Sequence, residues 1–207
     1  MANKFLTIPA SPVMPIATDA YDPKFENQRN SIFRTYFNQV SGALGSIAGR
    51  NGGEFVQVPY GVFKCTSTQS PAVINTAYAV PFDTTVYTNS IAIVSSSQVK
   101  VSTTGYYLFT IAAQFDKISA AVMNGFVWIS KNGTNITNSA LKCQLVGGST
   151  SEMVGSNAWL VSMTSGDYIQ IMWGADNVDM RLEAIAASAP YPAIPAVSLN
   201  AELVSIV

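Results

Sequence analysis

The sequence predicts an all-β protein, a sandwich or jelly roll of about ten short strands preceded by an extended N-terminal arm and a short amphipathic helix. Three observations predict it. From Phe55 onward, short runs rich in Val, Ile, Tyr and Phe recur between clusters of turn residues. Several of these runs alternate apolar and polar residues with a period of two, the pattern of a half-buried strand. Before Phe55 the pattern differs, with prolines at three-residue spacing and then apolar residues three and four apart. We therefore expect two parts, an arm and helix over residues 1–54 and a strand domain over residues 55–207.

In residues 1–21, Pro9, Pro12 and Pro15 block helix and favour an extended conformation without internal hydrogen bonds. Such an arm orders against a partner surface or stays a disordered tail. Asp22 then offers a carboxylate to the free amides of a helix start, and Pro23 in the first helical position forfeits no hydrogen bond. Phe33, Phe37, Val40, Leu44 and Ile47 follow at spacings of four, three, four and three, the seam along which parallel helices wind together. The run is shorter than three heptads and has Gly42 and Gly45 in its last turns, too little to hold a coiled coil alone. The stripe either joins copies of the chain or packs on the strand domain. Residues Gly49 to Gly53 end the helix and mark the hinge.

Strands are expected near Phe55–Lys64, Ser90–Val94, Gln98–Ser102, Tyr106–Phe115 and Gly125–Lys131. Five more are expected near Ile136–Cys143, Ser156–Ser162, Asp167–Trp173, Met180–Ala186 and Val197–Val204. Alternation is clear in Val99/Val101 against Lys100/Ser102 and in Ile169/Ile171/Trp173 against Tyr168/Gln170/Met172. Lys131-Asn-Gly-Thr134 is the strongest local signal, because Asn-Gly supplies the positive φ angles of a two-residue hairpin turn.

Composition bears on what such a domain does. The chain has 207 residues, 48% of them apolar and 11% charged, against roughly 25% charged in ordinary soluble proteins. A surface so poor in charge is expected to be covered by copies of the chain or by a larger assembly. The alternative is a neutral Ser/Thr/Asn-rich surface that stays soluble alone. Net charge is −1 and the 11 basic residues are scattered, so no nucleic-acid partner is expected. No apolar run reaches the length of a signal peptide or of a membrane span, so we expect synthesis and assembly in a cytosol, with no membrane partner. Cys65 and Cys143, far apart in sequence, read as buried free thiols, although one disulfide between strands is compatible with the spacing.

Catalysis finds little support. With no histidine, the usual general base and commonest metal ligand are absent, which excludes Ser-His-Asp and Cys-His arrangements. Asp176-Asn-Val-Asp179 with Glu183 is the local carboxylate cluster, but it lacks the ligand spacing and bend-forming glycine of a calcium loop and reads as a solvated loop. A glycosidase would need two apposed carboxylates; Asp116 is one candidate, with no partner evident in sequence. We expect no enzyme, no metal and no cofactor.

Three motifs carry a resemblance. Gly105-Tyr-Tyr107-Leu-Phe109, Val127-Trp-Ile-Ser-Lys-Asn-Gly133 and Gly166-Asp-Tyr-Ile-Gln-Ile171 resemble, in order, the Gly-x-Tyr-x-Phe strand, the Lys-Asn-Gly hairpin and the Gly-Asp strand of the C1q/TNF-like jelly roll. The likeness spans most of residues 61–207. Val197-Ser-Leu-Asn-Ala-Glu-Leu203 departs from it, lacking the Phe-x-Gly-Phe pattern of animal members, and Ala184–Pro195 is an unusual insertion. The layout of proline arm, short helix and knob is similar to structural proteins of tailed bacteriophages. That resemblance implies a trimeric virion appendage, made in the host cytoplasm and anchored to other virion proteins through the N-terminal arm. A head or tail fibre that touches a host-surface receptor and a capsid or tail decoration protein that braces the shell are both expected readings. A free lectin-like module is a third, with Tyr60, Tyr78, Tyr87 and Trp159 as candidates for stacking on sugars.

The residues assigned to oligomerisation are Phe33, Phe37, Val40, Leu44 and Ile47 on the helix and Tyr107 and Phe109 on a strand. Tyr107, Phe109 and Ile111 project to one side of that strand and Tyr106 and Leu108 to the other. With large apolar groups on both sides, one face is expected in the core and the other at a three-fold axis. The alternative is a core strand with one tyrosine half exposed.

Overall fold

A computed structural model of the chain describes residues 9–16, 20–48 and 58–206. The chain falls into two compact units, Met1–Gln57 and Val58–Val207. The expected hinge at residues 49–53, the 54/55 boundary and the first residues of the expected Phe55–Lys64 strand lie outside the described residues.

In the first unit one helix, α1, runs Pro23–Ala48. Its start is the expected one: the amide of Lys24 donates to Asp22 Oδ1 at 2.9 Å, and the amide of Glu26 donates to the Asp22 carbonyl at 3.1 Å. Ala10 and Pro12 of the arm line a cleft with Ile32, Thr35 and Tyr36, so this part of the arm lies along α1. No helix among the described residues is long and apolar enough to cross a membrane.

The second unit is antiparallel sheet throughout. Its strands are β1 Tyr60–Cys65, β2 Tyr78–Ala79, β3 Thr84–Asn89, β4 Ile91–Val94, β5 Gln98–Val101, β6 Gly105–Lys117 and β7 Met123–Lys131. There follow β8 Thr134–Asn135, β9 Leu141–Leu145, β10 Glu152–Met163, β11 Tyr168–Ala175, β12 Met180–Leu182 and β13 Val197–Ser205. One sheet has the order β10-β6-β13-β1-β3, with β12 beside β6; the other has β4-β5-β11-β7-β8, with β2 on β11 and β9 on β7. From β5 onward the chain crosses repeatedly between the sheets, β6 in the first, β7 to β9 in the second, β10 in the first, β11 in the second, β12 and β13 in the first. This is the jelly-roll sandwich the sequence predicts, preceded by a short N-terminal helix.

The inward faces form one core. Tyr107, Phe109, Ile111 and Phe115 of β6 meet Val127 and Ile129 of β7 and Ile169, Ile171 and Trp173 of β11 across the sandwich, all buried. The Tyr107 hydroxyl donates to the Thr103 carbonyl at 2.9 Å, so the buried ring has its polar end satisfied, and burial pushes its pKa up. Gly105 opens β6 because a Cβ there would stand 2.4 Å from the Ser205 carbonyl oxygen of β13. Cys65 and Cys143 are buried free thiols.

Two expected strands differ in extent from those found. Residues 136–140 form a turn, with Asn138 at φ 60°, and strand begins only at Leu141. The strand at Met180 stops at Leu182; beyond it Ile185 bridges Ile194 and Ser188 bridges Tyr191, a small hairpin in the inserted segment. Between Lys64 and Ser90 the chain forms β2 and β3, which were not expected. β3 lies at a sheet edge with its side chains largely exposed, so it carries none of the apolar alternation by which strands are read.

Two of the sequence motifs interlock. Asn132 and Gly133 take φ values of 50° and 81°, the mirror-image turn their sequence predicts. From that turn Asn132 Nδ2 donates to Asp167 Oδ1 and Lys131 Nζ to Asp167 Oδ2, both at 2.8 Å, while the Tyr168 amide donates back to Asn132 Oδ1 at 3.0 Å. The amide of Thr164 also donates to Asp167, at 2.8 Å. The Lys131 hydrogen bond, with those from Thr164 and Asn132, holds the Asp167 carboxyl down at about 2 from an ordinary 3.8. A folded pKa below the unfolded one stabilises the fold above the unfolded value and is lost as pH falls through the folded one. Asp167→Asn is therefore expected to cost about 1–2 kcal/mol at pH 7 and progressively less between pH 4 and pH 2, read by urea unfolding across that range.

Candidate functional site

Because β6 alternates strictly, its second face is fixed by the first. Tyr107 and Phe109 are fully buried within the single chain. Their assignment to an oligomer contact is therefore corrected: they are core residues, and the face turned outward carries Tyr106, Leu108, Thr110, Ala112 and Gln114. The sequence showed both faces as apolar, and only the position of the second sheet decides which is inside.

Strand register extends this outward face into rows. Leu160 pairs with Leu108, Leu108 with Glu202 and Glu202 with Tyr60. The next row runs Ala158, Thr110, Asn200, Val62 and Tyr87, and a third runs Ser156, Ala112, Ser198 and Lys64. Leu160 is 62% exposed, Tyr87 67% and Tyr60 46%. Glu202 and Lys64 are the charged side chains in these rows. The surface is thus a broad pleated sheet face, apolar or weakly polar and largely exposed or half-exposed, with the inserted 184–195 segment beside it at Lys64.

In the first unit the helical seam is largely exposed among the described residues. Phe33 and Phe37 stack with ring centroids 6.3 Å apart, yet are 40% and 62% exposed, and Leu44 is 58% exposed. Val40 is half-buried, and the side chain of Ile47 lies outside the described residues. The described part of the arm uses the neighbouring stripe of α1, at Ile32 and Tyr36, and not the Phe33-Phe37 stripe.

The carboxylates gather elsewhere than the sequence suggested. Asp176 accepts from the Asn124 amide at 2.8 Å and from Asn124 Nδ2 at 2.6 Å, which makes it a loop anchor. Glu183 instead joins Asp116 and Glu152, whose oxygens lie within 4.8 Å of one another. Asp116 thus has the acid neighbours that sequence could not supply. Arg181 occupies the group, with Nε 2.5 Å from Asp116 and Nη2 2.6 Å from Glu183. Burial, then the Asp116 charge, push the Glu183 carboxyl up, opposed by Arg181. A guanidinium already seated on two of three acids makes this an ion-pair cluster at the end of the first sheet.

Of the aromatics considered for sugar stacking, Trp159 is buried and donates from Nε1 to the Ser139 carbonyl at 3.0 Å. Tyr78 is half-buried, with its ring against Trp173 and its hydroxyl bonded to Val73. Tyr60 and Tyr87 lie in the outward rows of the first sheet.

No family model matches the sequence, and no curated protein matches it. Solved structures that it is similar to include the globular domain of zebrafish complement 1qA protein, at 11% identity over 72% of this chain and 99% of that one, TM-score 0.46. The Eiger TNF from S. frugiperda is 10% identical over 72% of this chain and 94% of its own, TM-score 0.48. Murine APRIL is 15% identical over 71% of this chain and all of its own, TM-score 0.45.

Arg181→Met keeps the side chain's bulk and removes its charge. It leaves Asp116 buried without its partner and raises Glu183 further, so the deficit is smaller where Glu183 is protonated and full near neutrality. We expect a loss of about 2–4 kcal/mol at pH 7, shrinking toward pH 4, measured by chemical denaturation at both pH values.

Proposed function

We propose that the protein is a non-catalytic structural protein that works as a homotrimer, a fibre or knob displayed on a virus particle of the tailed-phage kind and held there by its N-terminal arm. The observation that carries the assembly is the outward face of the β10-β6-β13-β1-β3 sheet: three rows of Leu, Val, Tyr, Thr, Asn, Ser and Ala with two charges among them. Left in water, such a face invites pairing with another copy, and a closed ring of identical chains removes it from solvent without leaving a free surface that would grow into a fibril. The exposed Phe33, Phe37 and Leu44 stripe supports the same reading from the other unit, since three such stripes side by side would bury one another. The virion setting is supported by the order of arm, helix and strand knob and by the low charge. On this reading the knob faces the host surface and the arm meets other virion proteins.

Light scattering coupled to size exclusion tests the assembly, with the mass of three chains expected. Leu160→Glu, at an exposed position on the β10 edge of the face, should give folded monomers with unchanged β-type circular dichroism. A monomeric parent chain would end the trimer proposal. Anchoring is read on particles: antibodies against the strand unit should label them, and deleting residues 1–21 should abolish incorporation.

Phe37→Asp separates the two surfaces. Burying an unpaired carboxylate in a helix seam costs several kcal/mol, so incorporation should fall sharply while the strand unit keeps its thermal transition. Incorporation at the parent level would show that the seam is a solvated helix face.

A further inference from the structure

A second surface lies on the opposite sheet, within one chain. Phe126 and Trp128 stand half-buried on the outward face of β7, opposite Gly174 and Met172 of β11. Beside them runs a groove of about 500 Å3 between residues 75–77 and the 136–140 turn. That volume lies inside the range of about 300–1,000 Å3 typical of small-molecule sites. Its floor depends on Gly174: a Cβ there would stand 2.8 Å from the Thr76 carbonyl oxygen, so any other residue would push the 75–77 segment away.

The rim is made of carboxamides. Asn135 Oδ1 accepts the Trp128 indole N–H at 2.8 Å, which fixes the ring and leaves the Asn135 amide group free to donate. Asn75 and Asn138 also line the groove, both exposed, both at positive φ (54° and 60°), and neither side chain has a hydrogen-bond partner among the described residues. Their left-handed backbones are set by the turns they sit in, which places short amides at two edges of an aromatic floor. No charged side chain lines the groove.

We infer that this groove is a binding site for a neutral saccharide. A pyranose ring has a face of C–H groups that packs on an indole, and equatorial hydroxyls that each need a donor and an acceptor in the plane of the ring. A half-buried Trp beside three asparagines supplies both, and the uncharged lining offers nothing to recognise phosphate, sulfate or carboxylate. The inference deepens the display reading, on which it rests for the surface that carries the glycan. The groove itself is complete in one chain, so binding and oligomeric state are read separately.

The test uses the full chain on an array of neutral hexose and N-acetylhexosamine oligosaccharides with sulfated and sialylated ones beside them, followed by titration of the best neutral ligand by tryptophan fluorescence. Neutral glycans should bind, and Trp128→Ala should weaken binding by about tenfold or more. Asn138→Gly and Asn75→Gly remove the carboxamides at exposed positions while tolerating the positive φ, and should each weaken it several-fold with oligomeric state and circular dichroism unchanged. They carry the test should the Trp128 variant fail to fold. Binding of no neutral glycan, binding of charged glycans alone, or neutral binding that survives the asparagine changes would each overturn the inference. A parent chain that binds neutral glycans as a monomer would keep this site and remove the trimer.

Discussion

The strand that the rest of the knob is built around is β6. Thirteen residues long, it pairs with β10 over twelve positions on one edge, and with β13 and then β12 on the other. Its alternation sends Tyr107, Phe109, Ile111, Ala113 and Phe115 into the sandwich, and a shift of one position would turn all five to water. That penalty pins the register of three neighbouring strands at once, so the outward rows are a consequence of the core. The place of Leu160 beside Leu108 was settled when Trp159 and Phe109 went inside.

The ends of the sheets are held by polar groups whose charges are satisfied locally. Asp167 ties the Asn132-Gly133 turn to the start of β11, and Arg181 gathers Asp116 and Glu183 at the far end of β6. Buried Lys117 donates to the carbonyls of Ala121 and Gly147 at 2.8 and 3.0 Å and so joins two loops. With 11% charged residues, the chain commits many of its ions to such contacts. The outward face of the first sheet is left nearly neutral, which suits it to self-association, and the groove on the second has an uncharged lining, which suits it to a ligand without charge.

Much of this could be read in the sequence because it depends on neighbours along the chain. Asp22-Pro23 starts a helix through amides two and four residues on, Asn132-Gly133 makes its turn through its own φ angles, and the period of β5 and β11 appears in four to six consecutive residues. The helical seam at Phe33, Phe37 and Leu44 was legible for the same reason. β3 was not, because an edge strand exposed on both sides has no alternation to show; the 136–140 turn did carry a local signal in Asn138-Ser139, overlooked beside the apolar residues Ile136 and Leu141.

What tertiary structure alone decided is which of two similar faces is buried and which distant residues meet. Tyr106 and Tyr107 are the same residue type at adjacent positions, and nothing local says that Tyr107 goes to the core with its hydroxyl on Thr103 while Tyr106 faces out. The meeting of Asp116, Glu152, Arg181 and Glu183, and the groove that joins Asn75, Trp128 and Asn138, each assemble groups tens of residues apart. By itself the sequence determined a β-sandwich behind a capped helix, a chain poor in charge, and the absence of any histidine for catalysis. Packing decided the surfaces, since a side chain's neighbours across a sheet are set by strand pairing and not by position in the chain.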